Sequence, residues 1–183
     1  MFILKINRMN LPNILSISRV LLLVPIIFLF EYEFYLASLI IFIIASVTDY
    51  LDGFLARKNN LSSNTGALLD LLADKIFVAT LLVWITYNFE NIFILISSIL
   101  IISREISISY LRLYIISTTK KVDDVKSDFS GKLKTAVQMI GLGFFLITPL
   151  ASNLIFNLSI ILILFSALIS WYSFIKYLNK WIV

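Results

Sequence analysis

The sequence predicts an all-α integral membrane protein with six transmembrane helices and both termini on the cytoplasmic side. Composition, six long apolar stretches and the placement of basic residues between those stretches carry the prediction. Of the 183 residues, 60% are hydrophobic and only 14% are charged, and the mean hydropathy is +0.98. A soluble domain carries about 25% charged residues, so this chain lacks the polar surface that would coat a globule in water. A spanning helix needs about 20 largely apolar residues. Stretches near 11–30, 34–57, 67–87, 91–116, 132–150 and 154–176 meet that requirement.

The first stretch follows Lys5 and Arg8 and contains Pro25, which is tolerated inside a span. It is too long for the core of a signal peptide, and no small-residue cleavage site follows it. The link Glu31 to Glu33 has no Lys or Arg, whereas the second stretch ends on Arg57 and Lys58. Lys58 to Thr65 is short and polar, which makes the second and third spans antiparallel neighbours. After the third span, Asn88 to Glu90 again carries no basic residue. The fourth span leads into the longest polar run, 117–131, with Lys120, Lys121, Asp123, Asp124, Lys126 and Asp128, read as the main cytoplasmic loop. The fifth span begins at Lys132 and ends at Pro149; Ala151 to Asn153 is uncharged, and Lys176 and Lys180 close the sixth. Basic residues thus fall on alternate connections, and the positive-inside rule places both termini in the cytoplasm with an even number of spans. The net charge of +4 reflects this sidedness rather than a nucleic-acid surface. The length suits one domain, 1–183.

The chain has no cysteine and no histidine. Disulfides, thiolate metal sites and a cysteine nucleophile are excluded, as are the commonest general base and zinc ligand. Carboxylates remain for any metal, and they favour hard ions such as Mg²⁺ or Mn²⁺. Asp49 and Asp52 stand at i and i+3 near the cytoplasmic end of the second span; Asp70 and Asp74 stand at i and i+4 near the start of the third. Each pair shares a helical face, so four carboxylates are expected to meet at one depth. A charged residue in a bilayer costs about 2.5–3.5 kcal/mol at the helix centre, and clustered acids repel one another. One or two divalent cations relieve both penalties.

Small residues keep register with the acids. Gly53 follows Asp49 and Ala56 follows Asp52 by one turn, which clears that face for a bulky ligand. Arg57 can offer a planar fork to phosphate, and Gly66 opens the third helix, whose amino end favours anions. A cation-coupled transporter would use midplane acids and pseudo-symmetric halves; here the acids lie near one face and no repeated halves are visible. A lipid-binding scaffold without turnover is the remaining alternative.

The pattern Asp49-x2-Asp52-Gly53-x2-Ala56-Arg57-x8-Gly66-x3-Asp70-x3-Asp74 resembles the signature of the CDP-alcohol phosphatidyltransferase family at every specified position. Eight fixed positions would match by chance at roughly one start in 10¹⁰ for ordinary residue frequencies. The resemblance implies a six-helix membrane bundle, a homodimer, and transfer of a phosphatidyl group from CDP-diacylglycerol to an alcohol with release of CMP. It implies that Asp49, Asp52, Asp70 and Asp74 hold two Mg²⁺ or Mn²⁺ ions, and that Asp74 also takes the proton of the attacking hydroxyl. Asp52, Gly53, Ala56, Arg57 and Gly66 are implied to surround the CDP moiety. The resemblance further implies a bacterial inner membrane, with the lipid tails left in the bilayer.

The acceptor is read from residues outside the signature. Arg104 and Arg112 lie eight apart on the fourth span, and Lys132 and Lys134 open the fifth. An acceptor that carries its own phosphate accounts for this positive charge; Glu105, next to Arg104, is instead expected to pair with a neighbouring helix. The stretches Leu11–Arg19, Ser103–Ile106 with Leu111 and Arg112, and Gly131–Met139 resemble family members whose acceptor is glycerol 3-phosphate. That acceptor, with phosphatidylglycerophosphate as product, is the expectation. Relatives that make cardiolipin or phosphatidylserine are the alternative.

Overall fold

A computed structural model describes residues 11–58, 64–119 and 129–182, and these are helical almost throughout. The helices are α1 (Leu11–Glu31), α2 (Tyr35–Lys58), α3 (Asn64–Phe89), α4 (Ile92–Thr119), α5 (Phe129–Ile147) and α6 (Asn153–Ile182). Each contains one of the six expected spans, shifted by a few residues at its ends. The largest difference is at α6, which continues as helix past Lys176. The chain is therefore an all-α integral membrane protein. Among the described residues, α1, α4, α5 and α6 are long and apolar enough to cross a membrane. In α2 the uninterrupted apolar part is Tyr35–Thr48, because Asp49 and Asp52 follow it. Asp70, Asp74 and Lys75 interrupt α3 in the same way.

Two tight connections explain how long helices follow one another with few residues between them. At the end of α1, Glu33 N–H donates to Phe30 O (2.9 Å) and Phe34 N–H to Leu29 O (2.8 Å). This Schellman pair of hydrogen bonds consumes two orphan carbonyls and holds Glu33 in the left-handed region at φ 66°. At the start of α4, Asn91 Oδ1 accepts from the N–H groups of Phe93 (2.9 Å) and Ile94 (3.4 Å), a side-chain N-cap. Glu90 before it also has positive φ, 44°.

The chain divides into two compact units, Met1–Leu81 and Leu82–Val183, with α3 running from the first into the second. In the first unit, Leu23, Ile26 and Phe30 of α1, Phe42 and Ala45 of α2 and Ala73 and Phe77 of α3 are buried. Ser38 Oγ donates to Ile26 O (2.7 Å) across the α1–α2 pair, and the rings of Phe42 and Phe77 stack at 5.9 Å. In the second unit, α6 packs on both α4 and α5. Phe89, Phe145 and Phe156 form an aromatic cluster, and Ser166 Oγ donates to Lys134 O (3.1 Å).

Polarity is distributed as lipid requires. Leu21, Phe28, Val83, Leu154, Phe165 and Leu168 are among many large apolar side chains on the outside, while Ser38, Ser97, Ser98, Ser159, Ser166 and Ser170 are buried. Small hydroxyl residues let helix backbones approach and bond carbonyls where water is absent. Gly141 makes a tight approach of this kind: a Cβ there would lie 3.0 Å from Cδ1 and Cγ1 of Ile163, which is itself fully buried. Gly141→Val should therefore destabilise the α5–α6 pair by about 1–3 kcal/mol, read as a lower unfolding temperature in detergent. An unchanged transition would show that this contact is slack.

Candidate functional site

The first unit brings together two acids and two residues of α1. Asp70 and Asp74 are one turn apart on α3, and α1 presents Ser16 and Arg19, about one turn apart, to them. Ser16 Oγ donates to Asp70 Oδ1 (3.3 Å). One guanidinium nitrogen of Arg19 donates to Asp74 Oδ1 and lies 3.6 Å from Asp70 Oδ1. Residue number rises on both helices from the first contact to the second, so α1 and α3 run in the same direction. Arg19 is almost completely enclosed, with 1% of its side chain exposed, whereas Asp70 and Asp74 keep 39% and 45%. The carboxylates are thus gripped from α1 and open elsewhere.

An ionised carboxylate has about four lone-pair positions, so contacts from α1 do not exhaust either acid. The chain has no histidine or cysteine, and oxygen donors of this kind fit Mg²⁺ or Mn²⁺. Among the described residues, no three potential metal-ligating side chains gather in one group. The other two acids of the sequence pattern, Asp49 and Asp52, are on α2 with Gly53, Ala56 and Arg57, and Gly66 is in the first turn of α3. The side-chain positions of these six lie outside the described residues.

The second unit holds a cluster of opposite character. Glu105 Oε1 accepts from Arg104 (2.9 Å) on its own helix and from Lys134 Nζ on α5. Arg104 also donates from Nε to Ser170 O on α6 (3.1 Å), so this one side chain ties α4 to α6 while Glu105 ties α4 to α5. Arg104 and Lys134 are both buried. Glu105 therefore has the partner on a neighbouring helix that its place beside Arg104 suggested. Two buried cations thus share one carboxylate. Arg112 is on α4 and Lys132 on α5; their side chains lie outside the described residues. Gln138 follows Lys134 by one turn and is 4% exposed, and its Nε2 has no hydrogen-bond partner among the described residues.

Arg19 is the residue of this site that sequence patterning does not assign. It lies in α1, where the one other charged residue is Glu31 at the very end. A lone arginine about 12 Å into an apolar helix, at 1.5 Å per residue from Leu11, requires an anionic partner. That requirement is the signal; the partner, more than fifty residues away, is not encoded in any local period.

Comparison with known proteins gives a consistent match over nearly the whole chain. The family model described as CDP-alcohol phosphatidyltransferase matches residues 9–172. A CDP-diacylglycerol–glycerol-3-phosphate 3-phosphatidyltransferase of Salmonella choleraesuis (strain SC-B67) is 34% identical over 175 residues, covering 94% of each chain. Proteins of the same name from Shigella flexneri serotype 5b (strain 8401) and Escherichia coli (strain K12) are each 35% identical over 179 residues, again covering 94% of each chain.

The cation cluster makes a direct test of its own. Glu105→Gln leaves two buried cations without their shared carboxylate, and removal of one partner of a buried pair costs about 3–5 kcal/mol. Its unfolding temperature in detergent should fall well below that of the double variant Glu105→Gln with Lys134→Met. Equal transitions for the two would show that the charges are not coupled.

Proposed function

The chain belongs to the CDP-alcohol phosphatidyltransferase family, and from that premise we propose that it transfers the phosphatidyl group of CDP-diacylglycerol to glycerol 3-phosphate, giving phosphatidylglycerophosphate and CMP. The observation that carries this reading is the near end-to-end similarity to relatives named for that reaction. An acidic pair that is partly open, on a largely apolar helix, is consistent with it. So are the two cations beside Glu105, which suit an acceptor bearing its own phosphate.

In this reading Asp49, Asp52, Asp70 and Asp74 hold the metal. Bound there, two Mg²⁺ or Mn²⁺ ions would supply charge neutralisation for the pyrophosphate and for the departing CMP. Asp52, Gly53, Ala56, Arg57 and Gly66 surround the cytidine diphosphate portion, the small residues leaving room and Arg57 facing phosphate. Asp74 accepts the proton of the attacking hydroxyl, since the chain has no histidine for that work. The acceptor oxygen bonds to the phosphorus of the phosphatidyl group as the bond from that phosphorus to CMP breaks. Arg104, Arg112, Lys132 and Lys134 bind the acceptor's phosphate. Six spans, a homodimer, cytoplasmic termini and a site facing the cytoplasm from a bacterial inner membrane complete the proposal.

The purified protein, given Mg²⁺ or Mn²⁺, CDP-diacylglycerol and glycerol 3-phosphate, should release CMP. No CMP with any common alcohol would overturn the enzyme reading, and CMP only with serine or phosphatidylglycerol would overturn the acceptor. Asp74→Asn should lower turnover by about 10²–10⁴-fold, the range of a lost general base, with CDP-diacylglycerol binding still measurable. Arg112→Ala should raise the acceptor KM by about tenfold or more, as for a lost charged hydrogen bond, and leave donor affinity little changed. A raised donor KM instead would move Arg112 to the nucleotide.

A further inference from the structure

The acidic pair carries a counter-ion of its own. A single nitrogen of Arg19 lies against Oδ1 of both Asp70 and Asp74, the bridging arrangement a cation adopts between two carboxylates. The guanidinium is enclosed among helices, it is permanently charged, and Ser16 beside it adds a hydrogen bond to Asp70. We propose that Arg19 is the resident counter-cation of this site: it offsets part of the charge of Asp70 and Asp74 when divalent metal is absent, and it lowers their affinity for that metal. The inference rests on the reading of Asp70 and Asp74 as metal ligands. Arg19 acts through these two acids and is a positioning residue rather than a catalytic one.

The reasoning is electrostatic and fixes opposite signs for two measurable quantities. Two like charges one turn apart on a helix repel, more strongly where water is scarce. A positive group beside both offsets much of that repulsion, so folding without metal depends on it. The same positive group repels an arriving Mg²⁺ or Mn²⁺, so metal affinity is reduced by it. A residue that merely shaped the ligands would have the reverse effect on affinity, because its loss would spoil the geometry.

The test uses the full-length protein in detergent, as wild type, Arg19→Gln and Arg19→Lys. Free Mn²⁺ is followed by electron paramagnetic resonance during titration, and unfolding temperature is measured in chelator and in saturating Mg²⁺. Arg19→Gln should bind Mn²⁺ roughly tenfold more tightly, as expected for loss of a like charge at close range. Its unfolding temperature should drop in chelator and recover in Mg²⁺, giving a larger metal-induced rise than in wild type. Arg19→Lys, which keeps the charge, should stay close to wild type in both measurements. Weaker Mn²⁺ binding by Arg19→Gln, an equal loss of stability with and without metal, or failure to fold even in Mg²⁺ would each overturn the counter-cation role. Arg19→Lys behaving as Arg19→Gln would do so as well. If wild type binds no Mn²⁺ and Asp74→Asn is indistinguishable from it, the metal reading itself fails, a different result from altered affinity in the Arg19 variants alone.

Discussion

A carboxylate or a guanidinium among apolar helices has to find its opposite charge inside the protein, because lipid supplies none. Most of what is specific in this molecule follows from that requirement. In the first unit Arg19 of α1 meets Asp70 and Asp74 of α3. In the second, Glu105 of α4 meets Arg104 of the same helix and Lys134 of α5. Each cluster joins helices that apolar packing alone would leave free to slide or rotate, since one leucine face fits another at several registers. A charge pair has far fewer satisfactory positions. Buried pairs are weak sources of net stability but strong penalties when broken, and that asymmetry suits them to fixing register.

The neutral polar groups follow the same logic at lower energy. Ser38 binds the carbonyl of Ile26, Ser166 that of Lys134, and Trp171 Nε1 that of Leu100 (3.0 Å). Each places a hydrogen bond between helices at a point where the side chain is small or the ring long enough to reach. With lipid as apolar as leucine, association of helices cannot draw on water exclusion and relies on close packing and such bonds. The close approach at Gly141 and the buried serines are two expressions of that dependence.

The sequence made the helices legible because span length and charge sidedness are properties of contiguous residues. All six helices fall on the expected stretches with differences confined to their ends, where fraying and caps decide; four of them, among the described residues, are long and apolar enough to cross a membrane. The left-handed turn at Glu33 was not legible: glycine is the usual resident of that position, and here the two hydrogen bonds to Phe30 and Leu29 hold a glutamate there instead. Of the candidate site, Asp70 and Asp74 were legible from spacing on one helix. Their partner was not, because nothing local to Arg19 distinguishes α3 from any other helix carrying acids. Glu105 shows the intermediate case. Its need for a partner could be read from its place in a span, whereas the choice of Lys134 depended on how α4 and α5 pack.

The two clusters combine opposite charges in mirrored arrangements. In the first, one guanidinium sits beside two carboxylates that stay partly open, and in the second, one carboxylate sits beside two enclosed cations. In the proposed reading the first meets a divalent cation and the second a phosphate. A counter-charge within each cluster opposes the ligand that its neighbours attract, and it offsets part of the repulsion among those neighbours when the ligand is away. Like charges gathered among apolar helices with no counter-ion would make the ligand-free protein costly to fold. In these terms Arg19 and Glu105 have equivalent parts, each set against the like-charged groups of its own cluster.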